Sequence, residues 1–154
     1  EQMNTLTQLW LSRPHYQTIL AQLQETYPLE GCGLLAGVCS AEGIGQVSQI
    51  YPVANALASP TAYWMEPAAL LSALHDIETQ GLILLAIYHS HPQSAAAPSA
   101  TDIAQAYYPE AAQVIVSLQD RTRPQARAFL VKEQQADEIP LCLVTDHPSV
   151  GLLS

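Results

Sequence analysis

Leu82 to Tyr88 is an unbroken apolar run, set between Gly81 and the polar cluster His89-Ser90-His91-Pro92. A run this short and this apolar reads as a strand over Leu82 to His89 that is covered on both faces, because a half-exposed strand would alternate. It is far below the roughly 18 residues that a membrane span requires. A strand buried on both sides needs a layer over each face. With the order helix, hairpin, helix, central strand, short helix and strands along the chain, the expected fold class is mixed α/β, with a curved β-sheet flanked by helices.

The flanking segments supply the other layers. Ser12-Arg13-Pro14 reads as a helix start, with Pro14 near the first helical position. Tyr16, Ile19, Leu20, Leu23 and Tyr27 follow at helical spacing, and Pro28 ends the helix. Gly33 to Val38 and Gln46 to Val53 read as two strands joined by a glycine-bearing turn from Cys39 to Gly45. Ala54 to Tyr63 is loop-like. Pro67 opens a second helix carrying Leu70, Leu71, Leu74 and Ile77, closed by Gly81. Beyond the central strand, Pro92 to Pro98 is a loop of small residues. A short helix starts near Ser99 and stops before Pro109. Val114 to Leu118 and Ala126 to Val131 are strands joined by the polar turn Gln119 to Pro124, and Ile139 to Val144 is a last strand. A length of 154 residues suits a single domain, expected over residues 3–145 with a C-terminal tail over 146–154.

Charge narrows the partners. The chain has 5 Lys plus Arg against 14 Asp plus Glu, a net charge of -9. Nucleic acid and anionic membrane surfaces both call for basic patches, so neither is expected as a partner. No basic stretch followed by an apolar one opens the sequence, so no signal peptide is read. Cys32, Cys39 and Cys142 lack the spacing of a disulfide framework or of a cysteine-rich zinc motif. These features lead to the expectation of a cytoplasmic protein with reduced thiols.

The chemistry concentrates just after the apolar run. Residues i and i+2 of an extended strand point to one side, so the imidazoles of His89 and His91 can converge on one ion. Pro92 ends the strand pairing and turns the chain. The loop can then fold back to bring Asp102, in the first turn of the next helix, as a third ligand. Two imidazoles and one carboxylate form the donor set of a catalytic zinc site, which keeps a fourth position open. Proton transfer at such a site needs a carboxylate from elsewhere in the chain. Glu30 is the candidate, because small neighbours in Leu29-Glu30-Gly31-Cys32-Gly33 leave room for close approach. Sequence alone does not separate it from Glu66 or Glu110. Ser99 stands three residues before Asp102, which is the spacing of a helix cap, and its hydroxyl is also a candidate donor to an oxyanion. Cys32 lies beside the candidate base, either as a small buried thiol or as part of the site wall. His15, His75 and His147 have no partner at ligand spacing. Trp10 and Trp64 read as packing residues, with Trp64 near a loop that would flank a groove.

At these positions the chain closely resembles the JAMM (MPN+) metallopeptidase family. The family pattern is a Glu, then His-(Ser/Thr)-His, seven residues, Ser, two residues and Asp. Here it reads Glu30, His89-Ser90-His91, the seven residues Pro92 to Pro98, Ser99, Ala100-Thr101 and Asp102. Tyr27 to Gly37, Pro98 to Glu110 and Ile115 to Leu118 are similar to the short prokaryotic single-domain branch, and the likeness runs over about residues 13 to 145. The resemblance implies one zinc ion per chain on His89, His91 and Asp102, with Glu30 as general acid/base and Ser99 as transition-state stabiliser. It also implies a curved sheet between helices, of the cytidine-deaminase-like type. The implied reaction is hydrolysis of a peptide or isopeptide bond after the C-terminal tail of a ubiquitin-like protein, and in the compact bacterial members of a sulfur carrier. Such a tail suits pairing along a sheet edge, and the small residues from Ser94 to Ala97 would fit a groove wall.

Two other readings compete. One is a non-catalytic MPN-type interaction module, which usually lacks one of the ligands that this chain keeps. The other is a zinc peptidase acting on an unrelated small peptide, such as a cell-wall peptide.

Overall fold

The computed structural model describes residues 5–145, so the expected tail over 146–154, with His147, lies outside the described residues. The element order is β1 (Gln8–Ser12), α1 (Arg13–Thr26), β2 (Cys32–Cys39), β3 (Ile44–Val53), α2 (Pro67–Thr79), β4 (Ile83–His91), α3 (Ala100–Ala104), β5 (Ala112–Ser117), β6 (Gln125–Lys132), β7 (Gln135–Ile139) and β8 (Leu141–Val144). Eight strands form one sheet in the order β7-β6-β5-β4-β2-β3-β1-β8. The apolar run is the middle of that sheet, with β2 antiparallel on one side and β5 parallel on the other.

The sheet is curved and nearly closed, and its connectivity shows why. β7 and β8 are its two outermost strands, yet only Pro140 separates them in the chain. The sheet must curl until its edges meet within the reach of one residue. Pro140 has no N–H to give to a ladder, but its carbonyl accepts the Leu9 N–H at 3.0 Å as the chain steps from one edge to the other.

A helix covers each face, as a strand apolar on both sides requires. Ser12 caps α1 by accepting the His15 N–H at 3.2 Å, and Pro14 sits in its first turn. Ile19 and Leu23 of that helix are buried with Leu9, Leu11, Leu35, Val47, Leu85 and Tyr88. On the other face Ala73 and Ile77 of α2 are buried with Cys32, Leu34, Ala36, Val53 and Met65, with Leu84 and Ile87 packed against them. Counting by twos from Ile87, His89 and His91 continue the α2 face.

The structure departs from the sequence reading at three places. β1 was not expected: Leu9 and Leu11 are buried, but the segment runs straight into the Ser12 cap with no turn to mark it. The central strand extends through His91 rather than stopping at His89, because Ser90 and His91 still pair with Val116 and Ser117 of β5. Ile139 to Val144 is divided by Pro140 between the two edges of the sheet, since β7 pairs with β6 and β8 with β1.

Candidate active site

Two elements bring the candidate ligands together. His89 and His91 end β4, and Asp102 stands in the first turn of α3. His89 Nε2 lies 3.1 Å from His91 Nε2 and 3.2 Å from Asp102 Oδ2, and His91 Nε2 lies 3.1 Å from the same oxygen. Tetrahedral zinc with bonds of about 2.0–2.1 Å sets its ligand atoms roughly 3.3 Å apart. The three atoms therefore approximate one face of such a tetrahedron, and this donor set fits a metal ion. His91 Nδ1 donates to the Ala95 carbonyl at 2.8 Å, which turns Nε2 toward the cluster, where the neutral ring would offer its lone pair to an ion. The small-residue loop thus orients a ligand, a task its composition did not reveal.

Burial sets the charges. His89 is fully buried, and loss of hydration lowers its imidazole pKa, which favours the neutral form that a ligand needs. For His91 burial also pulls downward, but hydrogen bonds to Asp102 and the Ala95 carbonyl outweigh it and the pKa is raised. Asp102 has burial working against its ionised form. Hydrogen bonds from His89, His91 and the Ser99 N–H overcome that and hold its carboxyl well below the usual carboxylate range.

Ser99 has the capping geometry that its spacing allowed. Its hydroxyl accepts the Asp102 N–H at 3.0 Å, and its own N–H donates to Asp102 Oδ2 at 2.9 Å. The reciprocal pair fixes the carboxylate against the two imidazoles. The Ser99 side chain is exposed, and its O–H remains available as a donor.

Glu30 reaches the site through strand register. Cys32 stands opposite His89 in the antiparallel β2–β4 pair. One step out, the Gly31 N–H donates to Ser90 Oγ at 2.9 Å and the Ser90 N–H to the Gly31 carbonyl at 3.0 Å. The next step sets Glu30 beside His91, on the face of the ligands. Glu30 is 5% exposed, and its Oε1 is buried without a hydrogen-bond partner among the described residues. Burial pushes its carboxyl up to about 7, with His91 pulling it down and Asp102 pushing it up. Of the rival carboxylates, Glu66 caps α2 by accepting the Ala68 and Ala69 N–H groups, and Glu110 is exposed in a turn. Cys32 is fully buried, donates to the Val53 carbonyl at 3.3 Å, and has its thiol pushed up to about 12 by burial and then by Glu30. His15 and His75 lie on α1 and α2, away from the cluster.

The β3–α2 loop contributes Tyr63, which the sequence reading passed over, and Trp64, which it read as a packing residue near a groove. Tyr63 stacks on the His89 ring with centroids 4.6 Å apart. Trp64 meets Tyr107 edge to face at 6.2 Å. With Met65, Leu70 and Ile87 they line an apolar cavity of about 320 Å³ that has Asp102 on its wall. Trp64 and Tyr107 were visible as aromatics, but nothing in sequence spacing joins a loop before α2 to a loop after α3.

Two imidazoles and a carboxylate, converging beside a buried carboxyl at the end of a central strand, form a group that could hold a metal ion, as metallohydrolase sites do. Prokaryotic homologs of the JAB domain match this chain over residues 12–131, and the chain belongs to that family. A CysO-cysteine peptidase of Mycobacterium tuberculosis is 32% identical over 84% of this chain and 86% of its own length. A probable TtuB-protein conjugate cleaving protease of Thermus thermophilus is 43% identical over 64% of this chain, and the match spans 63% of that relative's length. A protein of Desulfitobacterium hafniense, known from its solution structure, is 32% identical and superposes with a TM-score of 0.81 over 90% of this chain and 94% of its own.

Proposed function

We propose that this protein is a zinc-dependent metallopeptidase that hydrolyses a peptide or isopeptide bond after the C-terminal tail of a ubiquitin-like sulfur carrier. The observation that carries the proposal is the triangle of His89 Nε2, His91 Nε2 and Asp102 Oδ2, with edges of 3.1–3.2 Å, beside the buried carboxyl of Glu30. In this reading His89, His91 and Asp102 hold one zinc ion per chain. Zinc bound there would supply Lewis-acid polarisation of the scissile carbonyl and acidify water. Glu30 takes the proton of the attacking water and returns it to the leaving amine. The Ser99 O–H donates to the oxygen on which charge develops. The apolar cavity next to Asp102 receives the end of the carrier tail, with Trp64 and Tyr107 as its walls. The Mycobacterium and Thermus relatives support the substrate class.

We take residues 3–145 as the catalytic unit, supported by the family match inside it and by one continuous sheet. We place the reaction in the cytoplasm. Among the described residues no helix is long and apolar enough to cross a membrane, and Cys32, Cys39 and Cys142 form no disulfide.

The test is mass spectrometry of a sulfur carrier ending in Gly-Gly and extended by one cysteine, before and after incubation with the zinc-loaded protein. Loss of the cysteine is expected. Glu30→Gln should keep its zinc and lose hydrolysis by about 10²-fold or more. Full activity in that variant removes Glu30 from the mechanism. Stable binding of the carrier without any turnover would make the chain a binding module instead.

A further inference from the structure

Glu30 carries the base in the proposed mechanism, yet no hydrogen bond holds its buried Oε1 among the described residues. Restraint on its backbone therefore bears directly on where that oxygen stands. The sheet does not supply that restraint, because β2 begins at Cys32 and the last pairing with β4 is made by Gly31. The β3–α2 loop takes over where the ladder stops. The Glu30 N–H donates to the Ser59 carbonyl at 2.8 Å, and the Glu30 carbonyl accepts from Asn55 Nδ2 at 3.0 Å.

Asn55 ties that loop together. Nδ2 also donates to the Ala62 carbonyl at 3.1 Å, while Oδ1 accepts the Leu57 N–H at 3.1 Å and the Trp64 N–H at 3.0 Å. A side-chain amide has two donor hydrogens and two acceptor lone pairs, and Asn55 uses all four. Neither Asp, which lacks the donors, nor Ser, which is too short, reproduces the set. Backbone bonds from Ala56 N–H to Trp64 O at 2.8 Å and from Glu66 N–H to Ala54 O at 3.0 Å close the same loop. The loop is thus a pedestal, with Asn55 at its centre and Tyr63 at its far side, against His89.

We propose that Asn55 is a positioning residue that locks the Glu30 peptide to the β3–α2 loop and so sets where the Glu30 carboxylate stands relative to His89, His91 and Asp102. The kinetic part of this proposal rests on the peptidase reading above; the anchoring itself does not. Asn55→Asp is the sharpest variant. It keeps the acceptor for Leu57 and Trp64 but sets a carboxylate against the carbonyls of Glu30 and Ala62.

Hydrogen exchange, followed by NMR on the full chain, tests the lock without any substrate. The Glu30 amide is expected to exchange at least about tenfold faster in Asn55→Asp, while amides of β4 and β5 keep their protection. Unchanged exchange at Glu30 overturns the lock. In the zinc-loaded enzyme, acting on the cysteine-extended carrier, kcat is expected to fall about 10- to 100-fold with KM within about twofold and zinc content unchanged. In a Glu30→Gln background the same substitution should change the residual rate by less than about twofold, because both act through one group. A rise in KM at constant kcat, or losses that multiply, would overturn the positioning role. Asn55→Ser is read in the same way if Asn55→Asp does not fold. A wild-type protein that cleaves no conjugate counts against the peptidase reading, and the exchange result then decides the lock alone.

Discussion

At the scale of single residues, the site is built by making polar groups share few partners in little water. Asp102 Oδ2 receives two imidazoles and the Ser99 N–H, whereas Glu30 Oε1 has no partner among the described residues. Two carboxyls on one face are thereby driven apart, one held ionised and one pushed up to about 7. That difference suits a ligand and a proton carrier, respectively. It also predicts a pH profile. Glu30 accepts a proton only when ionised, so hydrolysis should fall as pH drops through its pKa. A bound cation nearby favours the ionised form and can move that limb only downward from about 7. The acid limb of kcat/KM is therefore expected at or below about pH 7. A limb centred well above that value would assign it to another group.

At the scale of elements, the β2–β4 pair delivers Glu30 to the site, where the β3–α2 loop takes over its backbone. The register of the pair carries Glu30 to His91, and its other face must accept Tyr88. Tyr88 lies so close over Gly33 that an added Cβ would clash with its ring and hydroxyl. The Tyr88 hydroxyl donates to Gln22 of α1, whose own amide donates to the Cys32 carbonyl at 2.9 Å. Gly33 is required here for space rather than for backbone freedom. Gly33→Ala is expected to destabilise by about 1–3 kcal/mol, measured by urea unfolding, because neither the ring nor the strand has room to yield. A neutral result would mean that Tyr88 can swing clear of the sheet.

At the scale of the whole molecule, curvature decides access. Because Pro140 carries the chain from one edge of the sheet to the other, neither face lies open as it would in a flat sheet. The α1 side is filled by side chains, and the cluster of His89, His91 and Asp102 stands at the end of β4 on the α2 side. A ligand that ties β4 to α3 stabilises the native state by mass action. At free zinc a hundredfold above its Kd, that amounts to about 2.7 kcal/mol. Zinc-loaded protein is expected to unfold at higher urea than chelator-treated protein. Asp102→Ala should abolish the difference, and an undiminished difference in that variant would place the zinc elsewhere.

The sequence by itself determined the central strand, the two covering helices and the ligand spacing. Each is written in local periodicity or in a short motif: the apolar run ending in His89-Ser90-His91, and Ser99 three residues before Asp102. Small neighbours made Glu30 the candidate base and the family pattern agreed, but spacing alone did not single it out over Glu66 or Glu110. The tertiary structure separated them by position, because register across β2 and β4 is a long-range pairing, whereas Glu66 is committed to its own helix. The same holds for β1, for the division at Pro140, and for Asn55 and Tyr63. Their roles arise from contacts between segments far apart in the chain, and no local pattern of residues encodes which distant backbone a loop amide will meet.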